Sequence, residues 1–292
     1  MIELNNEFIL ISPNIEMNTK LDEFGEISMN SLLSSIIILV FSVWLSVIFA
    51  VNVKPKPNQD DYCNLNCTNG PNVGCTKPDV PSDCQNFKLV NITERMKKAF
   101  LNAHNRKRRL VAAGKGLLKD GVHTPIAAKM PNLTWNIALA KLAEYNVKQC
   151  EMKHDCAKTR HGHTGQNLFF YGTTLSPITN STIAKMAVEG WYSESKDTRL
   201  EDIKKLTTIY PNGKPIGHYT QLIWGNTTKV GCAVSTYKKH SNGNMFNMTL
   251  VACNYRGGNM LEEAVYQIKD AKNPKSKNQT KNNKKPKQKM PK

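Results

Sequence analysis

Eight cysteines, all between Cys63 and Cys253, constrain this 292-residue chain more than any other feature. Their number is even, and they occupy the stretch that also carries the aromatic and periodic segments. Such a set reads as a disulfide framework made in an oxidising compartment, where thiols pair instead of staying reduced. Free buried thiols in a cytosolic protein are the competing reading, and the same compartment logic disfavours it. Thiolate zinc from Cys63, Cys67, Cys75 and Cys84 is disfavoured too, because no Cys-x-x-Cys pair occurs. Seven Asn-x-Ser/Thr sequons, at Asn66, Asn91, Asn132, Asn180, Asn226, Asn247 and Asn278, agree with passage through a secretory lumen.

Both ends of the chain differ from its middle. Residues 32–51 form an uncharged apolar run, long enough at about 1.5 Å rise per residue to cross a bilayer. Residues 1–28 carry six acids and only Lys20, whereas Lys54 and Lys56 follow the run. The positive-inside rule would then put the cysteines in the cytosol, against the disulfide reading. That conflict disappears if translation starts at Met29: residues 29–50 become a signal peptide cleaved after Ala50, and residues 1–28 a doubtful extension. A retained signal anchor is the alternative, and the one route to a membrane. Residues 51–62, with Pro55 and Pro57, read as an extended linker. Residues 269–292 hold ten lysines against Asp270 alone, so no core can form there and a disordered tail is expected. Of the net +17, the tail supplies +9 and residues 1–28 supply −5, which leaves +13 on residues 29–268. The domain itself is therefore basic, with Arg106-Lys107-Arg108-Arg109 concentrating part of that charge.

An apolar content of 40% supports a real core, and one globular domain with tails is expected. Residues 63–90 read as a disulfide-rich lobe; Gly70-Pro71, Gly74, Pro78 and Pro81 argue against regular structure between Cys63 and Cys84. From Asn91 onward Ile92, Met96, Ala99, Phe100, Ala103 and Leu110 recur at three- and four-residue steps, the stripe of a helix ended by Gly114 and Gly116. A second helix follows Asn136 as N-cap and delivers Cys150 and His154 just beyond its end; a third runs over residues 181–194. Then the period changes to two: Val230, Cys232 and Val234 in one strand, Met248, Leu250 and Ala252 in another, joined through Asn242-Gly243. Cys232 and Cys253 could then face each other. Helices beside an antiparallel sheet predict an α+β sandwich over residues 91–268.

Several local words stand in a fixed order: Asp61-Tyr62-Cys63, Ala103-His104-Asn105-x-x-Arg108, Asn132-Leu133-x-Trp135-Asn136, Gly165-Gln166-Asn167, Gly217-His218-Tyr219-Thr220-Gln221-Leu222-Ile223-Trp224 and Cys253-Asn254-Tyr255. In these words and in cysteine order the chain resembles the CAP superfamily of cysteine-rich secretory, antigen 5 and pathogenesis-related proteins, and within it the insect antigen 5 or venom allergen 5 branch. The resemblance implies a three-layer α-β-α sandwich. It also implies four disulfides, Cys63 with Cys75, Cys67 with Cys156, Cys84 with Cys150 and Cys232 with Cys253; eight cysteines alone would allow 105 pairings. In the superfamily two histidines and two acids converge in a central cleft, and in some members they bind zinc. By motif position these are His154, Gln166, Glu194 and His218. Gln166 departs from the Glu of many relatives, and a neutral amide is a poor ligand for a divalent ion and no base. His154-Asp155-Cys156 is one residue tighter than the branch's usual spacing.

Three readings of this quartet compete. It can be a hydrogen-bonded cluster fixing helix against sheet, a metal site in which His154, His218 and Glu194 hold zinc or copper with water in the fourth position, or a catalytic centre. Serine-type hydrolysis would need Ser193 or Ser195 beside Glu194, and the chain has no Gly-x-Ser-x-Gly elbow. His161 and His163 form a further short pair, more simply read as solvated loop residues. Tyr219, Trp224 and Tyr255 read as core aromatics, although relatives with apolar channels keep a small lipid-like ligand in view. The lysine tail would draw heparin-like polyanions, screened by salt, while nothing supports specific nucleic-acid recognition. The expectation is a secreted, monomeric, allergen-like glycoprotein that needs no cofactor and acts by binding; the alternative is a metal-dependent hydrolase or redox protein using the same cleft.

Overall fold

The local chemistry of caps and glycines accounts for where each element begins and ends. This computed structural model describes residues 62–269 except 66, 69, 179, 180 and 242. The expectations for residues 1–28, 29–50, 51–61 and 270–292, and the sequons at Asn66, Asn180 and Asn278, lie outside the described residues. Asn72 caps a single turn, α1 (Val73–Thr76), its side-chain oxygen accepting from the Gly74 N–H at 2.9 Å. That turn corrects the expectation of no regular structure between Cys63 and Cys84. The Cys63–Cys75 bond holds the turn itself and Cys67–Cys156 the segment before it, so intrinsic propensity does not decide the matter. Strand β1 (Gln85–Leu89) follows. Thr93 caps helix α2 (Glu94–Ala112) by accepting from the Met96 N–H, and Gly114, at φ 72°, takes the left-handed conformation just past its end. After the two-residue strand β2 (Thr134–Trp135), Asn136 caps helix α3 (Ile137–Lys148), accepting from Leu139 N–H at 2.9 Å.

The rest of the chain completes the layers. Strand β3 (Thr164–Thr173) leads to helix α4 (Ser181–Ser193), which runs on into a 3-10 turn over Glu194–Asp197. Short helices α5 (Leu200–Lys204) and α6 (Gly217–Leu222) precede the long strands β4 (Lys229–Ser241) and β5 (Asn244–Arg256). The antiparallel order is β1-β4-β5-β3, with β2 adding a short parallel pairing at the start of β4. Both faces of this sheet are covered. Val230, Cys232, Val234, Val251, Cys253 and Tyr255 pack with Phe100, Ile183 and Trp191 of α2 and α4, while Ala233, Leu250, Ala252 and Leu168 pack with Ala143 and Val147 of α3. The result is the three-layer sandwich. All four disulfides join the cysteines that the resemblance implied, and Cys232 stands directly opposite Cys253 in the β4–β5 register. Among the described residues no helix is long and apolar enough to cross a membrane.

A buried polar seam ties the layers together. His104 Nδ1 lies 2.7 Å from the Phe100 carbonyl and its Nε2 2.8 Å from the Tyr255 hydroxyl. A carbonyl only accepts, so Nδ1 carries the proton and Nε2 accepts from Tyr255. Asn105 donates to the Leu133 carbonyl and accepts the Leu133 N–H, at 3.0 and 2.7 Å. One member of the basic run, Arg108, is only 1% exposed. Its guanidinium donates to the carbonyls of Pro131, Leu222, Trp224 and Thr227 at 2.9–3.2 Å, and burial lowers its pKa to about 10. Arg106, Lys107 and Arg109 remain partly or fully exposed.

His104 makes the fold sensitive to acid. Burial, opposed by the Phe100 hydrogen bond and aided by the Arg108 charge, lowers its pKa from 6.5 to about 4. The unfolded chain therefore binds a proton here below pH 6.5 while the folded one stays neutral until about pH 4. This contribution is complete above the unfolded pKa and is lost as pH falls through the folded one, to the extent of about 3 kcal/mol. Urea midpoints measured between these pH values should fall more steeply for the wild type than for His104→Gln, by the uptake of one proton. Parallel profiles would contradict this.

Candidate functional site

Helix α6 carries His218 at its second position, and its start faces Glu194 at the end of α4. Glu194 Oε2 accepts the backbone N–H groups of His218 and Tyr219 at 2.9 and 3.0 Å, while Oε1 meets His218 Nδ1 at 2.6 Å. A carboxylate offers no proton, so Nδ1 of His218 is the protonated nitrogen and Nε2 bears the lone pair. Asn167 Nδ2 donates to the His218 carbonyl at 2.9 Å and steadies the same turn from β3.

His154 reaches the site from the loop after α3. Its Nδ1 lies 2.9 Å from Gln166 Oε1, which also accepts the Asp155 N–H at 3.4 Å. The Gln166 amide nitrogen donates to Asp155 Oδ1 at 2.8 Å and to Asn254 Oδ1 at 3.0 Å. With that nitrogen committed to two acceptors, Gln166 presents its oxygen to His154 and fixes Nδ1–H there as well. Burial pushes the Asp155 carboxyl up, against the lowering effect of hydrogen bonds from Asn146, Gln166 and Gln149 and of the His154 charge. The two imidazole centroids are 6.3 Å apart with planes tilted by 36°. Between them opens a small cavity of about 70 Å³, also bounded by Ile209, Tyr210 and Asn259.

The four residues singled out by motif position are thus brought together, and Gln166 does reach the cleft. Their roles are unequal. Glu194, expected as a third ligand, has both oxygens engaged in holding His218, and among the described residues no group of three His, Cys, Asp or Glu could hold a metal ion. The donor set is two imidazoles, each presenting Nε2 because a neighbour holds Nδ1. This arrangement fits an exchangeable divalent ion better than a closed structural site, which needs four ligands. Ser193 Oγ donates to the Gly190 carbonyl at 2.7 Å and Ser195 is buried; neither hydrogen-bonds an imidazole among the described residues. His161 lines a different cavity, while His163 lines a depression that His154 and Asp155 border as well. Tyr219, Trp224 and Tyr255 are core residues. Sequence reasoning missed Asp155 as the partner of Gln166, and it missed Tyr210 and Asn259. Asp155 was signalled only by its place next to His154; the loop holding Tyr210 has no periodicity to read.

Residues 101–255 match the model of the cysteine-rich secretory protein family, CAP. A venom allergen 3 homolog of Dinoponera quadriceps is 34% identical over 241 residues, covering 79% of this chain and 97% of the relative. Venom allergen-1 of Aedes albopictus is 37% identical over 217 residues, covering 70% and 78%. Among solved structures, that of NaASP2 with Zn2+ is 29% identical and covers 65% of this chain and 91% of its own, with a TM-score of 0.51. BmVAL-1 is 26% identical, covers 66% and 88%, and has a TM-score of 0.54. The chain belongs to the CAP family of cysteine-rich secretory proteins. Within that family it is a venom allergen-like member.

Proposed function

We propose that this is a secreted venom allergen-like protein that acts by binding and takes up zinc or copper reversibly on His154 and His218, without catalysing a reaction. The observation that carries the reading is the pair of pinned imidazoles, with Gln166 and Glu194 spent on orientation. A bound ion would supply Lewis acidity and open coordination positions there. Among the described residues that line the cleft there is no Ser, Thr or Cys nucleophile, and the Glu194 carboxylate is engaged with His218 and Tyr219. The zinc in the NaASP2 structure supports the choice of metal. The alternative, a metal-dependent hydrolase or redox protein, draws on those same open positions.

Calorimetric titration of tag-free protein with zinc should show one equivalent bound, lost in both His154→Ala and His218→Ala. Ester, peptide and superoxide assays of the zinc- or copper-loaded protein should show no turnover. Metal-dependent turnover that disappears in His218→Ala would replace this reading with the enzymatic one.

Secretion is supported by the four disulfides, by the family's secretory members and by sequons exposed at Asn91, Asn132 and Asn226. The Asn247 side-chain nitrogen, by contrast, donates to the Leu175 carbonyl at 2.7 Å. A polyanion partner such as a heparin-like glycan is supported by the lysine tail. Deleting residues 269–292 should weaken heparin retention at low salt without changing thermal stability; equal retention would refute a role for the tail.

A further inference from the structure

A second cavity, of about 180 Å³, shares no residue with the histidine cleft. Leu65, Ala138 and Leu139 supply its apolar lining, and Arg160, His161 and Arg256 its polar lining. Neither guanidinium has an ion pair or hydrogen bond with a described residue, a condition they share with the exposed Arg95, whereas Arg106, Arg108, Arg109 and Arg199 all hold acceptors. No described carboxylate lines the cavity. The unquenched field is felt by His161: the Arg256 charge, then burial and the Arg160 charge, hold it below its ordinary value. The first turn of α3 contributes Ala138 and Leu139, so the positive end of a twelve-residue helix adds to the same potential.

We propose that this cavity binds a small organic anion, with one carboxylate, sulfate or phosphate group held by Arg160 and Arg256 on an apolar body of about one ring. Two guanidinium forks suit the planar or tetrahedral oxyanion, and His161 adds a neutral donor. The volume decides the size of the body, since a cavity of about 150 Å³ accommodates a benzene-sized molecule. Leu65 stands in the lobe anchored by Cys63–Cys75 and Cys67–Cys156, and both Leu65 and Arg256 lie outside the family match over residues 101–255. The site is therefore built where the lobe meets the sandwich, and it is independent of the metal cleft.

The test is calorimetry of the full mature chain at low salt with phenyl phosphate, phenyl sulfate and benzoate, against phenol and inorganic phosphate as half-ligands. The linked compounds should bind one per chain, each half-ligand at least roughly tenfold more weakly; Arg160→Gln and Arg256→Gln should each weaken phenyl phosphate by roughly tenfold. Arg106→Gln and the zinc affinity of the cleft should not change. If Arg256→Gln lowers the melting temperature, Arg160→Gln, on an exposed loop, carries the test alone. Unchanged binding in Arg160→Gln would overturn the proposal. So would tighter binding in the double variant Asp60→Asn, Asp61→Asn, which would mean that the chain's own carboxylates fill the site.

Discussion

Replacing Arg108 with methionine will lower the stability of the domain by about 3–5 kcal/mol. Methionine matches much of the volume but none of the donors. Four carbonyls, from Pro131, Leu222, Trp224 and Thr227, would lose their hydrogen bonds inside the core. Part of that loss is offset because the fold no longer buries a charge, which is why the estimate stays below the sum of the separate bonds. Lysine will rescue little: it keeps the charge, but a single ammonium cannot span carbonyls arranged around a planar fork. Urea unfolding gives the answer. A lowered midpoint at unchanged slope is expected for both variants; a methionine variant within 1 kcal/mol of wild type would show that the carbonyls find other donors, since a lost pairing of this kind costs about 1–3 kcal/mol for each stranded group.

Gly231→Ala should be as damaging, by about 3 kcal/mol or more. A Cβ at this position would overlap the backbone nitrogen of Ala140 and the carbonyl oxygen of Asn136, and would sit 2.8 Å from the Leu139 carbonyl carbon. All three are backbone atoms, so no side chain can swing aside and α3 itself must move off β4. The damage reaches the cleft by a traceable route. Asn254 Nδ2 donates to the Leu139 carbonyl at 3.2 Å, and Asn254 Oδ1 holds Gln166, which orients His154. Thermal denaturation should show the lost stability, and the surviving folded protein should bind zinc more weakly. A variant with normal stability would mean that α3 tolerates a displacement that its close approach argues against.

What could be read in the chain follows from how each signal arises. The stripe of α2, the Asn136 cap and the alternation of β4 and β5 are local patterns, and each appears where the sequence predicts it. Strand β3 carries no such pattern: Leu168, Phe169 and Phe170 run together, Gly165 and Gly172 interrupt it, and its partner β5 is remote in sequence. The burial of Arg108 has no signal in the run of four basic residues that holds it. Yet it stands four residues after His104 and eight after Phe100, on the buried stripe, and that spacing was the signal to follow. The recurring words of the family prove to be the polar seam: His104, Asn105 and Arg108 in one, Asn254 and Tyr255 in another. Glu194 is a different case. Spacing could bring it near His218, but its role depends on two backbone N–H groups of α6 that no residue pattern announces.

His154 and His218 both carry their proton on Nδ1, which leaves Nε2 to meet a metal ion. Long-range proton–nitrogen correlation spectra of the histidine rings at neutral pH measure this directly. The Nδ1–H form is expected for both rings, with zinc perturbing both Nε2 signals and leaving His104 untouched. An Nε2–H form on either ring, or zinc shifts confined to His161 and His163, would contradict it.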